Sequence, residues 1–138
     1  MTQHSIILYE DNLLLRESIE SMLRLNEKIK LIGAYKNPKE VKTHLEELQP
    51  NLLIMDIDMP EMYGIEAVIQ VRSVDKNIPI LMLTVFDDNN HVFDAICAGA
   101  SGYLLKKHIS NKLFQAIDEV LDGGAPMSPS VARMVLAS

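Results

Sequence analysis

Residues 51–67 read NLLIMDIDMPEMYGIEA. Four apolar residues, Leu52 to Met55, lie between Pro50 and an acidic segment. So short an apolar run with such borders suits a strand buried on both faces, as in a parallel sheet. Asp56 follows at once. A carboxylate at the tip of such a strand stands where open α/β sheets place their ligands. Pro60 and Gly64 then mark a loop that leads into a helix. Asp56 is therefore a candidate reactive carboxylate on a rim, and other strand tips are expected to supply its partners.

The 138 residues fit one domain with a real core. A composition of 48% hydrophobic and 23% charged residues is ordinary for a globular chain. The net charge of −6 argues against a whole-domain grip on nucleic acid, which needs clustered Lys and Arg. The lone Cys97 excludes an intramolecular disulfide and a cysteine metal site, and reads as a small core residue. No apolar stretch nears the roughly 20 residues of a membrane span. The N-terminus lacks a basic-then-apolar signal layout, so the expected address is the cytoplasm.

Outward from the central stretch, strands and helices alternate. Ser5–Tyr9 is the first strand, ended by Glu10, Asp11 and Asn12. The helix after it has Asp11 or Asn12 as cap and a stripe of Leu15, Ile19, Met22 and Leu23. Lys30–Tyr35 is the second strand. Asn37–Pro38 reads as a cap with proline at the first helical position, and Val41, Leu45 and Leu48 face inward. The third helix starts near Met62 and carries Ile65, Val68 and Ile69. Pro79 can open the fourth strand, Ile80–Leu83, which ends at Thr84. Asp87–Asp88 starts a helix with Val92, Ala95 and Ile96 inward and Gly99 as its C′ residue. Ser101–Leu105 is the fifth strand, ending at Lys106. Ser110 caps a fifth helix with Leu113, Ile117, Val120 and Leu121 on one face, ended by Gly123–Gly124.

Five β–α units predict a parallel sheet covered on both faces. With right-handed crossovers, the commonest five-strand solution is a flavodoxin-like (βα)5 three-layer sandwich of order 2-1-3-4-5. That order sets strands one and three side by side, with Glu10–Asp11 and Asp56 at their tips.

Three clustered acids repel one another, and each ionised neighbour raises the others' pKa. At about 4 Å each pair costs roughly 1 to 4 kcal/mol at effective dielectrics of 80 down to 20. A hard divalent cation such as Mg²⁺ removes that cost, taking oxygen ligands, waters and a phosphate oxygen. The same rim receives the Thr84 hydroxyl and the Lys106 ammonium. Such a set suits phosphoryl transfer to Asp56, with cations balancing charge on the moving group.

The chain resembles the receiver domain of two-component response regulators. Glu10–Asp11, MDIDMPEMYG around Asp56, Thr84 after LML, and GYLLK ending at Lys106 carry the resemblance, in register over residues 4–122. It implies that Asp56 is the phosphoacceptor, served by a sensor histidine kinase. It implies Mg²⁺ held by Asp11, with Glu10 beside it, Asp56 and the main-chain carbonyl of Asp58. Thr84 would turn toward the phosphoryl group, Lys106 would pair with it, and Tyr103 would be the aromatic whose rotamer reports the switch. The output would be a changed face of fourth helix, fifth strand and fifth helix, giving dimerisation or release of an attached domain.

The tail GGAPMSPSVARMVL is similar to the segment after the receiver in LuxR/NarL-type regulators, which carry a C-terminal helix-turn-helix. Residues 1–122 are thus read as receiver and 123–138 as a linker with a short helix, capped by Ser128–Pro129 and bearing Val131, Met134 and Val135. DNA would be met only through a domain outside this chain. A terminal apolar helix without a partner favours a piece of a longer regulator. Two positions depart from the family's habit. Lys107 stands where a proline after a cis peptide is frequent, so a trans bond is expected. Tyr9 is bulkier than the usual valine. Asp58 and Phe86 occupy the family's variable positions.

Each residue also has a plain reading. Asp56 could be a turn acid, Glu10–Asp11 a solvated helix start, Thr84 a strand end and Lys106 a surface lysine. Tyr103 could be a half-buried strand tyrosine. Singly these readings win; together they require five groups to meet on one rim by accident. The four histidines show no metal-ligand spacing, and the methionines read as core fillers. The competing function is a phosphatase turning over an aspartyl phosphate. Its loops are too short for a substrate pocket, and no glycine-rich loop supports a nucleotide.

Overall fold

Buried apolar runs form strands here because both faces of the sheet are covered. The computed structural model describes residues 2–59, 63–85 and 89–137. Strands β1 (His4–Tyr9), β2 (Ile29–Tyr35), β3 (Leu52–Asp56), β4 (Ile80–Thr84) and β5 (Gly102–Leu105) are all parallel, in the order β2-β1-β3-β4-β5. Helices α1 (Leu13–Arg24) and α5 (Ile109–Leu121) cover one face. Helices α2 (Val41–Leu48), α3 (Gly64–Val74) and α4 (Asn89–Ala98) cover the other. This is the flavodoxin-like sandwich that the alternation predicts.

Successive strand residues alternate between two cores. Ile7, Leu53, Met55 and Met82 pack with Val68, Val71 and Val92. Ile6, Ile54, Leu81 and Leu83 pack with Ile19, Leu23 and Ile117. All five residues of β3 are buried, and its four apolar ones each contribute roughly 1.5–3 kcal/mol. Asn51 fixes the start of β3: its side-chain Oδ1 accepts from Ser5 N at 2.7 Å, and its own N–H donates to Ser5 O at 2.8 Å.

Several local expectations need correction. Helix α2 begins at Val41, not at Pro38. Asn37 instead closes a turn, its Oδ1 accepting from Lys39 N at 3.1 Å, which is an Asx turn rather than a helix cap. Helix α5 begins at Ile109 after a 3₁₀ turn, Lys106–His108, so Ser110 lies inside the helix. Ile69 is 57% exposed; Ala67 and Val71 take the buried face of α3 with Val68. Leu48 and Cys97 are also exposed. The expected helix starts at Met62 and at Asp87–Asp88 lie outside the described residues, as do Pro60 and Phe86. Asn12 caps α1 as expected, its Oδ1 accepting from Leu15 N at 2.9 Å, and the Lys106–Lys107 peptide is trans.

A sixth helix, α6 (Pro129–Ala137), follows α5. The expectation that it lacks a partner does not hold. It packs on α4, and Val131 is fully buried in the core beside α4.

Candidate functional site

Parallel registry carries the acids to one place. Tyr9 pairs with Met55, so Glu10 leaves β1 beside Asp56 at the end of β3. Asp56 in turn pairs with Leu83, and Thr84 pairs with Leu105, the residue before Lys106. Glu10, Asp56 and Thr84 are buried, while Asp11 is exposed. One carboxylate oxygen each from Glu10, Asp11 and Asp56 lies within 4.8 Å of the others.

Lys106 closes the cluster. Its Nζ lies 2.9 Å from Glu10 Oε1 and 3.1 Å from Asp56 Oδ1. Glu10 is further held through Oε2, which accepts from Asn12 N at 3.1 Å, and through its carbonyl, which accepts from Arg16 Nη1 at 2.7 Å. Asp56 Oδ1 also accepts from Asp58 N at 3.2 Å. Asp56 Oδ2, equally buried, has no hydrogen-bond partner among the described residues. That leaves one carboxylate oxygen oriented by its neighbour and the other available for chemistry.

Burial, and then the charge of Glu10, push the Asp56 carboxyl up to about 8; Lys106 partly opposes them. Burial alone would lower the Lys106 ammonium, but its bonds to Glu10 and the charge of Asp56 more than offset that, and it is raised. A further cation joining the cluster would oppose both causes and favour the ionised form of Asp56.

Gly64 sets the floor. Any Cβ there would lie on the Asp56 carbonyl oxygen. Its N–H donates to Ile57 O at 2.8 Å, so α3 starts directly against the β3 tip. Sequence reasoning took Gly64 only as a loop mark, and missed Arg16, whose contact is to backbone and leaves no pattern. Tyr103 is placed elsewhere: its hydroxyl accepts from Ser128 N at 2.9 Å, on the segment leading to α6.

A family model, the response regulator receiver domain, matches residues 6–118. The chain belongs to the receiver domain family. The match spans both strand tips and Lys106, the residues that build the cluster. Among curated relatives, the transcriptional regulatory protein LnrK of Bacillus subtilis is 34% identical over 131 residues, covering 95% of this chain and 60% of the relative. The transcriptional regulatory protein YdfI of the same organism is 31% identical over 130 residues, covering 94% of this chain and 61% of that protein. This receiver chain therefore spans about 60% of the length of these relatives. A crystal structure of a LuxR-family two-component response regulator from Aurantimonas sp. SI85-9A1 superposes with a TM-score of 0.88 at 28% identity, covering 99% of this chain and 97% of that one. The isolated receiver of RcsB from Salmonella enterica serovar Typhimurium, at 20% identity, shares the fold with a TM-score of 0.84, covering 96% and 98% of the two chains. Receiver domains typically use Mg²⁺ at an acidic pocket, and this receiver carries one at Glu10, Asp11 and Asp56. No described helix is long and apolar enough to cross a membrane.

Proposed function

We propose that residues 1–122 form a phosphoacceptor module in which Asp56 takes a phosphoryl group from a phosphohistidine of a sensor histidine kinase. The observation that carries this reading is the unpartnered, buried Oδ2 of Asp56 within a three-carboxylate cluster that already holds a lysine. In the transfer, Oδ2 forms the new O–P bond. The donor's P–N bond breaks, and its imidazole leaves with the electron pair and is protonated from solvent.

The donor set suits Mg²⁺: hard oxygens, two of them buried, with like charges that repel until a cation joins them. Glu10, Asp11, Asp56 and the main-chain carbonyl of Asp58 would hold the ion, which when bound supplies charge neutralisation for the incoming phosphoryl oxygens. Asp58 is near because its N–H reaches Asp56 Oδ1. Lys106 keeps Asp56 oriented before transfer and pairs with the phosphoryl group after it. Thr84, buried at the end of β4, supplies a hydroxyl to the new oxygens. Tyr103 belongs to the switching face.

The added charge favours a second arrangement of the face formed by α4, β5 and α5. The output is dimerisation or control of an attached domain. Residues 123–138 connect to a DNA-binding domain outside this chain, consistent with relatives that are transcriptional regulators.

The test uses acetyl phosphate with Mg²⁺ and the intact mass of the protein. One phosphoryl group added to the wild type, and none to Asp56→Asn, is the expected result. Multiple turnover of an unrelated phosphoester without labelling would instead assign a phosphatase.

A further inference from the structure

The segment between α5 and α6 lies along β5, the edge strand of the sheet. Tyr103 N donates to Pro126 O at 2.9 Å, and Ser128 N donates back to the Tyr103 hydroxyl at 2.9 Å. A Cβ at Gly102 would lie 2.6 Å from Pro126 Cδ and 2.9 Å from Pro126 O. The segment is therefore seated with no room to spare on Gly102–Tyr103. Ser128 Oγ accepts from Val131 N at 3.3 Å, so the residue that Tyr103 holds also starts α6. Val131 is fully buried, and Val135 and Met127 pack on the same core.

On its other side the seat is undercut. A groove of about 510 Å³ separates the segment from α5, with Lys107, Lys112, Gln115 and Glu119 on its wall. The segment is thus held tightly on one side and loosely on the other.

Strand β5 has only four residues. One end, Gly102–Tyr103, holds the C-terminal segment. The other, Leu105, pairs with Thr84 and leads directly to Lys106 on the acidic cluster. We propose that residues 125–137 form a strap over the β5 edge and α4, seated when Asp56 is unmodified and unseated when Asp56 carries a phosphoryl group. This rests on Asp56 being the phosphoacceptor. A phosphoryl group gives Lys106 and Thr84 new oxygens to bind, and the short strand between them and Gly102 transmits the shift. With Pro126 already against Gly102, a shift of β5 toward the segment meets a clash and a shift away from it lengthens the Tyr103–Pro126 and Ser128–Tyr103 hydrogen bonds, and either weakens the seat. By linkage the coupling is reciprocal: loosening the strap favours the phosphorylated state. Release would bare Tyr103 and the α4 surface beneath Val131.

The test is amide hydrogen exchange of residues 125–137, read by mass spectrometry with and without acetyl phosphate and Mg²⁺, alongside the intact mass of each sample. The expected result is about tenfold faster exchange on phosphorylation, roughly the worth of one lost hydrogen bond. Gly102→Ala should exchange fast in this segment without the phosphodonor and gain nothing further from it. Val131→Ala, which leaves the β5 contacts intact, should show a smaller basal increase and keep a response. A mass increment without change in exchange overturns the strap alone. No mass increment overturns the phosphoacceptor reading and the strap with it. Full protection retained in Gly102→Ala overturns the seat.

Discussion

Lys106 Nζ lies 3.1 Å from Asp56 Oδ1, and the second oxygen of that buried carboxylate has no hydrogen-bond partner among the described residues. One ammonium is thus shared by two buried acids, since Glu10 Oε1 is 2.9 Å from the same atom. The balance of charge at this point decides how the site responds to pH, to metal and to substitution.

Asp56 has a carboxyl raised from 3.8 to about 8. Between those values the folded chain holds a proton that the unfolded chain has lost, so stability falls as pH rises across this window and levels off above it. Denaturant midpoints for the metal-free wild type, measured from pH 5 to 9 and referred to Asp56→Asn, should fall with pH. Added Mg²⁺ should flatten the difference, and its affinity should climb with pH toward about 8. A pH-independent difference between the two proteins would rule out the raised carboxyl.

Lys106→Ala removes the ammonium that Glu10 and Asp56 share. Uncompensated buried charge is costly, and a loss of about 1–3 kcal/mol is expected at neutral pH. Saturating Mg²⁺ should recover much of it, because a cation again joins the acids. Metal binding should survive while labelling of Asp56 by a phosphodonor slows. Urea unfolding with and without Mg²⁺ reads the first effect.

Gly64→Ala places a methyl group on the Asp56 carbonyl oxygen. Relief requires moving the start of α3 or the tip of β3, at a cost of about 1–3 kcal/mol or more. Because the same shift disturbs Asp56, phosphorylation by acetyl phosphate should slow as well. A variant with wild-type stability and labelling rate would contradict the close approach.

Asn12→Ala removes the α1 cap and should destabilise the chain by about 0.5–2 kcal/mol. Asn12 N also donates to Glu10 Oε2, but that is a backbone group and remains. Labelling of Asp56 should therefore change less than stability does, which a thermal melt and a phosphorylation time course together would check.

The strands and their acidic tips were legible in the sequence because both are local signals, whereas the order that sets β1 beside β3 came from the commonest five-strand arrangement. Leu52–Met55 and Ile80–Leu83 are apolar runs with sharp ends, and parallel registry does the rest. Helix starts were less legible. Asn37–Pro38 has the residues of a cap, yet Asn37 bonds to Lys39 N and the helix waits until Val41. Ser110 is a good cap residue overtaken by the 3₁₀ turn at Lys106–His108. Ile69 and Cys97 read as core because apolar character does not say which face of a helix is covered. The seat of α6 depends on Gly102 and Tyr103 meeting Pro126 and Ser128 across more than twenty residues, and no periodicity records such a meeting.

The central claim is that Asp56, through its unpartnered oxygen, is where a phosphoryl group is attached. Borohydride reduction of the protein after acetyl phosphate and Mg²⁺ treatment, followed by peptide sequencing, tests it most directly. Homoserine at position 56 and nowhere else is the predicted result. Reduction products at Glu10 or Asp11, or none at 56 in a protein whose mass shows a phosphoryl group, would contradict it.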